Sequence, residues 1–317
     1  MQEPQVQLAE RLIAVTGFAR VFFSNSGTEA IEGAMKLARK WGKKNGKTHL
    51  LGFTNSFHGR TMGALSLTER EKYRDGYEPF LPNISHVKYG DVTELGAAVN
   101  EETLGVVLEF IQGEGGIYHV NQEFASVLED LRRRFGFLII ADEIQSGIGR
   151  TGKFFSFEHF GVIPDIVVVA KAVGGGLPLG AFLGNERVED VLSYGAHGTT
   201  FGGNPVACAA GLAVLQEVID NGLMKRAAEI GDYLKEGFFG LQKSFPSLVK
   251  EVRGFGCMLG IELTREGQPT VDELQNRGFL VNCTSTSVLR FLPPYIVTRE
   301  HCDSLLHELR DIFIHNS

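Results

Sequence analysis

The chain has 317 residues, 43% of them hydrophobic and 22% charged, with a formal net charge of −7. Those proportions suit a folded chain of two domains with a large core and exclude a disordered one. The acidic balance excludes a broad nucleic-acid-binding face, which needs a basic stripe; the only basic cluster, Lys36 to Lys47, reads as a solvated helix end.

The opening segment, MQEPQVQLAERLIAV, is amphipathic and acidic, unlike a secretory signal, and no run of about 18 apolar residues occurs anywhere. VFFSNSGTEAIEGAMK then passes from a short apolar stretch into a helix expected over Thr28 to Trp41, with Ala30, Ile31, Ala34, Met35, Leu37, Ala38 and Trp41 along one face. Ser24, Asn25, Ser26, Gly27 and Thr28 precede or open that helix, where free N–H groups, the helix dipole and small hydroxyl donors suit an anion. The plainer alternative is an ordinary capped helix, although a capping box counted from Thr28 fails because Ile31 stands where Glu is needed.

Strands are expected at His49 to Phe53, Gly105 to Glu109, Phe137 to Ala141 and Ile166 to Ala170, with Asn121 to Phe135 as a crossover helix. This alternation predicts a doubly wound α/β domain. Pro205 to Ile219 reads as a small-residue helix that packs closely, and Leu223 to Phe245 as a long amphipathic helix leaving the first domain. VKEVRGFGCMLGIEL then reads as two strands joined at a glycine turn, followed by a helix, short strands and a last helix, Arg299 to Ile314. Residues 1–222 are thus expected to form the large α/β domain, and residues 223–317 a smaller α+β domain.

Phe137 to Ala141 is short and apolar, as a strand buried on both faces should be, and it runs into Asp142 and Glu143. In open α/β sheets, ligands bind beyond the carboxyl ends of the strands, which puts Asp142 at a ligand site. The following GIGRTGK, residues 147–153, has the spacing of a Walker A loop, but Phe154 stands where a hydroxyl must hold magnesium, so a nucleoside triphosphatase is set aside. Lys171 follows IVVVA at the end of another strand. Desolvation at such a place lowers a lysine's pKa and makes it a nucleophile for a carbonyl. Each feature alone has an ordinary structural reading. Together, an anion site, an acid and a lysine match what pyridoxal phosphate needs: a phosphate anchor, a partner for the pyridinium nitrogen and a Schiff-base amine. The cysteines, Cys208, Cys257, Cys283 and Cys302, lie far apart without a CxxC, which argues against a zinc site and for a reducing, cytoplasmic compartment; no His and carboxylate spacing suggests another metal.

SNSGTEA (24–30), FHGRT (57–61), QGEGG (112–116), ADEIQSGIGRTG (141–152), AKAVGGGLPLGA (170–181), HGTTFGGNPVACAA (197–210) and VNCTSTSVLRFLPP (281–294) carry a resemblance over essentially the whole chain. The sequence resembles the class III, fold-type I aminotransferases that depend on pyridoxal phosphate, and within them is most similar to those acting on N-acetylornithine. The resemblance implies a mostly parallel seven-stranded sheet flanked by helices. It implies that Ser26, Gly27 and Thr28 hold the cofactor phosphate, that Phe57 stacks on the ring, that Asp142 pairs with the ring nitrogen and that Gln145 lies near the ring hydroxyl. Lys171 would bind the cofactor covalently and shuttle the proton. Thr200 would reach the phosphate of a neighbouring subunit, so a homodimer with shared sites is implied. Arg60 and Arg290 would bind substrate carboxylates, with Glu114 as a switch that neutralises Arg290 when the donor enters by its distal amine. His58 and His197 are read as supporting residues, and Glu109, followed by Phe110 where the family usually shows proline, as structural. Ornithine, 4-aminobutyrate or succinyldiaminopimelate are alternative donors, and a shortened cofactor-binding relative without turnover is an alternative role. QEPQVQLAERL resembles a segment that in family members follows an N-terminal portion, so that portion, with its part in the small domain, the dimer contact and the pocket wall, is expected to be missing.

Overall fold

The computed structural model describes residues 2–315. The chain opens with α1 (Glu3–Thr16), then β1 (Arg20–Ser24), α2 (Gly27–Lys44), β2 (His49–Phe53), the short α3 (Met62–Leu67) and α4 (Glu71–Arg74), and β3 (Ile84–Val87). It continues through α5 (Val92–Ala98), β4 (Thr103–Leu108), α6 (Gln122–Phe135), β5 (Leu138–Asp142), β6 (Ile166–Val169) and β7 (Gly180–Gly184). Seven strands form one sheet in the order β1-β7-β6-β5-β4-β2-β3. Neighbours from β3 to β6 run parallel, while β7 is antiparallel to both β6 and β1.

The sheet is covered on both faces, which is why β4 and β5 are buried along their whole length and apolar from Leu104 to Leu108 and from Leu138 to Ala141. Successive side chains point to opposite faces. Leu138, Ile140, Ile166 and Val168 therefore pack with α2, through Ile31, Ala34 and Met35. Ile139, Ala141, Val167 and Val169 pack on the other face with Phe124 and Leu128 of α6 and Leu8 and Leu12 of α1.

α7 (Pro205–Leu215) and α8 (Leu223–Ser244) lead to a second sheet made of β8 (Val249–Phe255), β9 (Met258–Leu263), β10 (Asn282–Thr284) and β11 (Val288–Phe291), with α9 (Gln268–Asn276) and α10 (Arg299–His315) beside it. Its order is β10-β11-β9-β8, all antiparallel. Leu234 and Phe238 of α8 and Leu309 of α10 close a separate core over Leu259, Ile261 and Leu289. The expected glycine turn joins β8 to β9 at Gly256, whose φ is +50° and where a Cβ would meet Thr151 C at 2.5 Å. No single helix among the described residues is long and apolar enough to cross a membrane.

Three local expectations change. The stretches 20–24 and 180–184, where no strand was expected, are strands, and they add an antiparallel edge to the mostly parallel sheet. The helix expected from Pro205 to Ile219 is α-helical only to Leu215 and continues as a π-turn over Gln216–Asp220. The cap of α2 is Ser26, not Thr28: Glu29 N donates to Ser26 Oγ at 3.3 Å, and Glu29 Oε2 accepts from Asn25 N at 2.9 Å. The Ser-x-x-Glu pattern sits in SGTE, two residues earlier than the box tested on the sequence.

Candidate active site

Beyond the carboxyl ends of β5 and β6, against the start of α2, lies a cavity of about 620 Å³. At one end are Ser26, Gly27 and Thr28. Ser26 caps α2 through Glu29, and the amides of Gly27 and Thr28 meet no acceptor among the described residues. Such amides at the start of an 18-residue helix are an anion-binding arrangement. Thr28 Oγ1 lies 2.8 Å from Thr61 Oγ1, and Gly59 packs so close that a Cβ there would sit 2.3 Å from Thr28 Oγ1.

Asp142, the last residue of β5, is buried on the floor of the cavity. Its Oδ2 lies 2.7 Å from His58 Nδ1, and its Oδ1 accepts from Ile144 N at 3.0 Å. Burial alone would lower the pKa of His58, but the hydrogen bond to and charge of Asp142, with the charge of Glu109, outweigh it and raise it. His58 Nε2 is enclosed and has no partner among the described residues. Glu109, just past β4, accepts the N–H groups of Phe57 at 3.1 Å and Gly113 at 3.0 Å, and burial pushes its carboxyl upward. Phe57 is half-buried in the wall and meets Tyr73 edge-on, their ring centroids 5.3 Å apart.

Lys171 follows β6 and faces the same cavity. Its backbone is left-handed, φ 47°, a conformation that L-residues other than glycine seldom adopt and that concentrates at functional sites. Desolvation by the walls holds its amine below the ordinary lysine range, against the opposing pull of Asp142, Glu109 and Glu114. That desolvation favours the neutral amine, the form that acts as a nucleophile or base.

The rim joins the two sheets. Arg290, buried on β11, donates from Nη1 to Glu114 Oε1 at 2.7 Å, Gly113 O at 2.9 Å and Gln145 Oε1 at 3.2 Å, while its Nε reaches Asn282 Oδ1 at 3.1 Å. Glu114 and Gln145 line the cavity in front of it. Partial burial raises the carboxyl of Glu114, but the charge and hydrogen bond of Arg290, with Lys171 and Arg70 nearby, bring it below the usual range. Arg60 also lines the cavity, exposed, with its guanidinium 5.0 Å from the Tyr73 ring centroid.

The cavity therefore gathers Ser26, Gly27, Thr28, Phe57, Arg60, Glu114, Asp142, Gln145 and Lys171 from across the chain, with Arg290 directly behind. Thr200 does not line it and is exposed in the loop after β7, next to Thr199, whose Oγ1 accepts from Asn25 Nδ2 at 3.4 Å. The sequence reading gave Glu109 no place in the site, and it lines the wall; the apolar wall from Leu177 to Leu179 was missed too, though the quoted GGGLPLG contained it. His197 lies away from the cavity, 3.0 Å from Lys36 Nζ.

The sequence model for the family described as aminotransferase class-III matches residues 1–313. The chain is 43% identical to the acetylornithine aminotransferase of Methanocaldococcus jannaschii, over 98% of this chain and 78% of that protein. It is 44% identical to the acetylornithine aminotransferase of Aquifex aeolicus, over 97% of this chain and 81% of the other. Among solved structures, the ornithine aminotransferase of Toxoplasma gondii superposes with a TM-score of 0.94 at 30% identity, covering 99% of this chain and 77% of that one. An amine transaminase from an uncultivated Pseudomonas species, solved in its PLP-bound form, gives a TM-score of 0.91 at 29% identity, covering 99% and 82%.

Proposed function

The chain belongs to the class-III aminotransferases, and we propose that within that family it moves the distal amino group of N-acetylornithine to 2-oxoglutarate. The products are N-acetylglutamate semialdehyde and glutamate, a step of arginine synthesis. The observation that carries this reading is the 2.7 Å ion pair between Glu114 and Arg290 at the rim, which gives one cavity two states of charge.

Pyridoxal phosphate is the cofactor. The residues present fit it: acceptor-free amides at the start of α2, a buried acid on the floor, and an amine whose pKa desolvation has lowered. Bound there, it supplies an electron sink for the substrate carbon that loses a proton and a temporary place for the amino group. Ser26, Gly27 and Thr28 would hold its phosphate, Phe57 would cover its ring, and Gln145 would lie at the ring hydroxyl. Asp142, oriented by His58, would present its carboxylate to the ring nitrogen. Lys171 Nζ would hold the cofactor covalently, and when free it would be the base that carries the proton from the substrate carbon to the cofactor carbon.

Substrate choice follows from guanidinium geometry, since a planar fork binds a carboxylate with paired hydrogen bonds. When the donor enters by its distal amine, its carboxylate lies out at Arg60, and Glu114 stays on Arg290. When glutamate or 2-oxoglutarate enters, Glu114 releases Arg290, which takes the carboxylate beside the reacting carbon, while Arg60 takes the other. Thr200, with the exposed apolar Phe201 and Val206 close by in sequence, suits contact with a second copy, so we read the protein as a homodimer with shared sites. The free cysteines among the described residues support a cytoplasmic location.

The test is the visible absorbance of the cofactor-loaded protein. N-acetylornithine should bleach it and 2-oxoglutarate should restore it. Bleaching by ornithine, 4-aminobutyrate or succinyldiaminopimelate instead would reassign the donor, and no bleaching by any of them would leave a cofactor-binding protein without turnover.

A further inference from the structure

The loop that carries Glu114 is held from outside by the smaller sheet. Four consecutive carbonyls each accept a hydrogen bond from a different side chain there: Gly113 O from Arg290 Nη1 at 2.9 Å, Glu114 O from the Thr284 hydroxyl, Gly115 O from Ser285 Oγ at 2.9 Å, and Gly116 O from Arg253 Nε at 2.9 Å. Ile117, buried and left-handed at φ 58°, seats against Gly254 and Gly260, where any Cβ would press on it at 3.1 and 3.2 Å. The loop is thus backed by the second sheet along its whole length.

Arg253, on β8, is the buried centre of this backing. Its guanidinium lies 3.7 Å from the centroid of the Tyr118 ring and pairs with Glu251 and Glu262 at 2.7 Å each, while its Nη2 finds no acceptor among the described residues. Tyr118 donates to Glu262 at 2.7 Å. A buried charge with an unmet donor is poor value as a stabiliser, because desolvation offsets much of the pairing. Its bond to Gly116 and its stacking on Tyr118, however, bracket the loop two and four residues beyond Glu114.

We propose that Arg253 is a positioning residue for Glu114: it fixes the loop so that the Glu114 carboxylate stays within reach of Arg290, and thereby sets which end of an amino donor the cavity accepts. The inference rests on the reading of Glu114 and Arg290 given above. With the loop loosened, Arg290 is uncovered in both half-reactions. A donor meant to enter by its distal amine then has its own carboxylate captured at Arg290, whereas glutamate binds as before.

The experiment compares Arg253→Met and Thr284→Val with the wild type, all loaded with cofactor. In Arg253→Met, Glu262 keeps Lys250 and Tyr118, and the exposed Glu251 is left to solvent, so no buried carboxylate is left bare. In Arg253→Met, amide exchange over residues 112–117 should rise about ten-fold while β5 stays protected, and the ratio of kcat/KM for N-acetylornithine over glutamate should fall about ten-fold, the worth of one charge-assisted hydrogen bond. Thr284→Val should move both readouts the same way by less. Unchanged exchange in the loop, or raised exchange with an unchanged ratio, would overturn the proposal. Should Arg253→Met not fold, Thr284→Val decides on the same two readouts. A wild type that never turns over N-acetylornithine would sink the proposed donor, and loop exchange would then decide the anchoring by itself.

Discussion

Asp142 and Lys171 stand at the ends of adjacent strands of one sheet, β5 and β6, and the start of α2 meets them from the same core. Glu114 and Arg290 instead come from a loop and from the other sheet, and they touch only because the two sheets meet there. The end of the cavity at Asp142 and Lys171 is thus fixed within one packed unit, while the rim at Glu114 and Arg290 depends on how two sheets are held together. On the function proposed above, the cofactor chemistry would sit within one packed unit and the choice of donor at the junction.

The largest effect that bears on this contrast is expected at the floor. Lys171→Ala should lower turnover roughly 10³-fold, the scale of a lost general base, and abolish the borohydride-reducible cofactor adduct. A retained adduct would remove Lys171 from its assigned place. At the rim the loss should be selective. Arg290→Ala should reduce kcat/KM for glutamate about 100-fold, as expected for losing paired bonds to a charge, and affect the distal-amine donor much less. Equal losses for both substrates would mean that the rim does not discriminate.

The two sheets should also answer pH with opposite signs. Glu143, buried in the large sheet beside Ser146 and Ser156, has its carboxyl pushed up by burial from 4.5 to about 7, more than the hydrogen bonds of Ser156, Ser146 and Phe157 N pull it down. Its folded form keeps a proton that the unfolded chain gives up, so stability falls as pH rises from about 4.5 to 7. Glu262 in the smaller sheet is raised by burial but drawn down further by Lys250, Tyr118 and Arg253, to about 2. Its stabilisation is present above about 4.5 and lost as pH falls toward 2. Denaturation curves of Glu143→Gln and Glu262→Gln, each subtracted from the wild type, should slope in opposite directions in those windows. The smallest expected effect is at the anion end. Ser26→Ala should cost about 1 kcal/mol in a urea titration through loss of the α2 cap, with weaker cofactor binding alongside.

Much of the floor was legible because its residues end apolar strands, where a short buried run followed by an acid or a lysine is unusual enough to notice: Ile139 to Asp142 and Ile166 to Lys171 are the cases. β1 and β7 were not legible. VFFS and GAFLG are short, and GAFLG has glycine at both ends, so neither shows a period that tells strand from loop. The cap of α2 was misplaced because the helix begins at Gly27, a residue that propensity alone would not choose as a start. The rim pairing of Glu114 with Arg290 came from family resemblance; nothing in QGEGG or VLRF foretells a contact between residues so far apart in the chain. Glu109 was read as structural and Arg253 escaped notice for the same reason, since their places beside the cavity and its loop exist only across folded distance.

The reversal of β7 has a consequence for how the chain can change length during evolution. Because β7 begins at the cavity instead of ending there, the wall from Leu177 to Leu179 and the edge of the sheet are one continuous run from Lys171. Ala181 and Leu183 face one core and Phe182 the other, so a single residue gained or lost between Lys171 and Gly180 would exchange their sides while displacing the wall. That run is closed to insertions. The exposed turn around Tyr194 is where sequence length can drift without touching the chemistry.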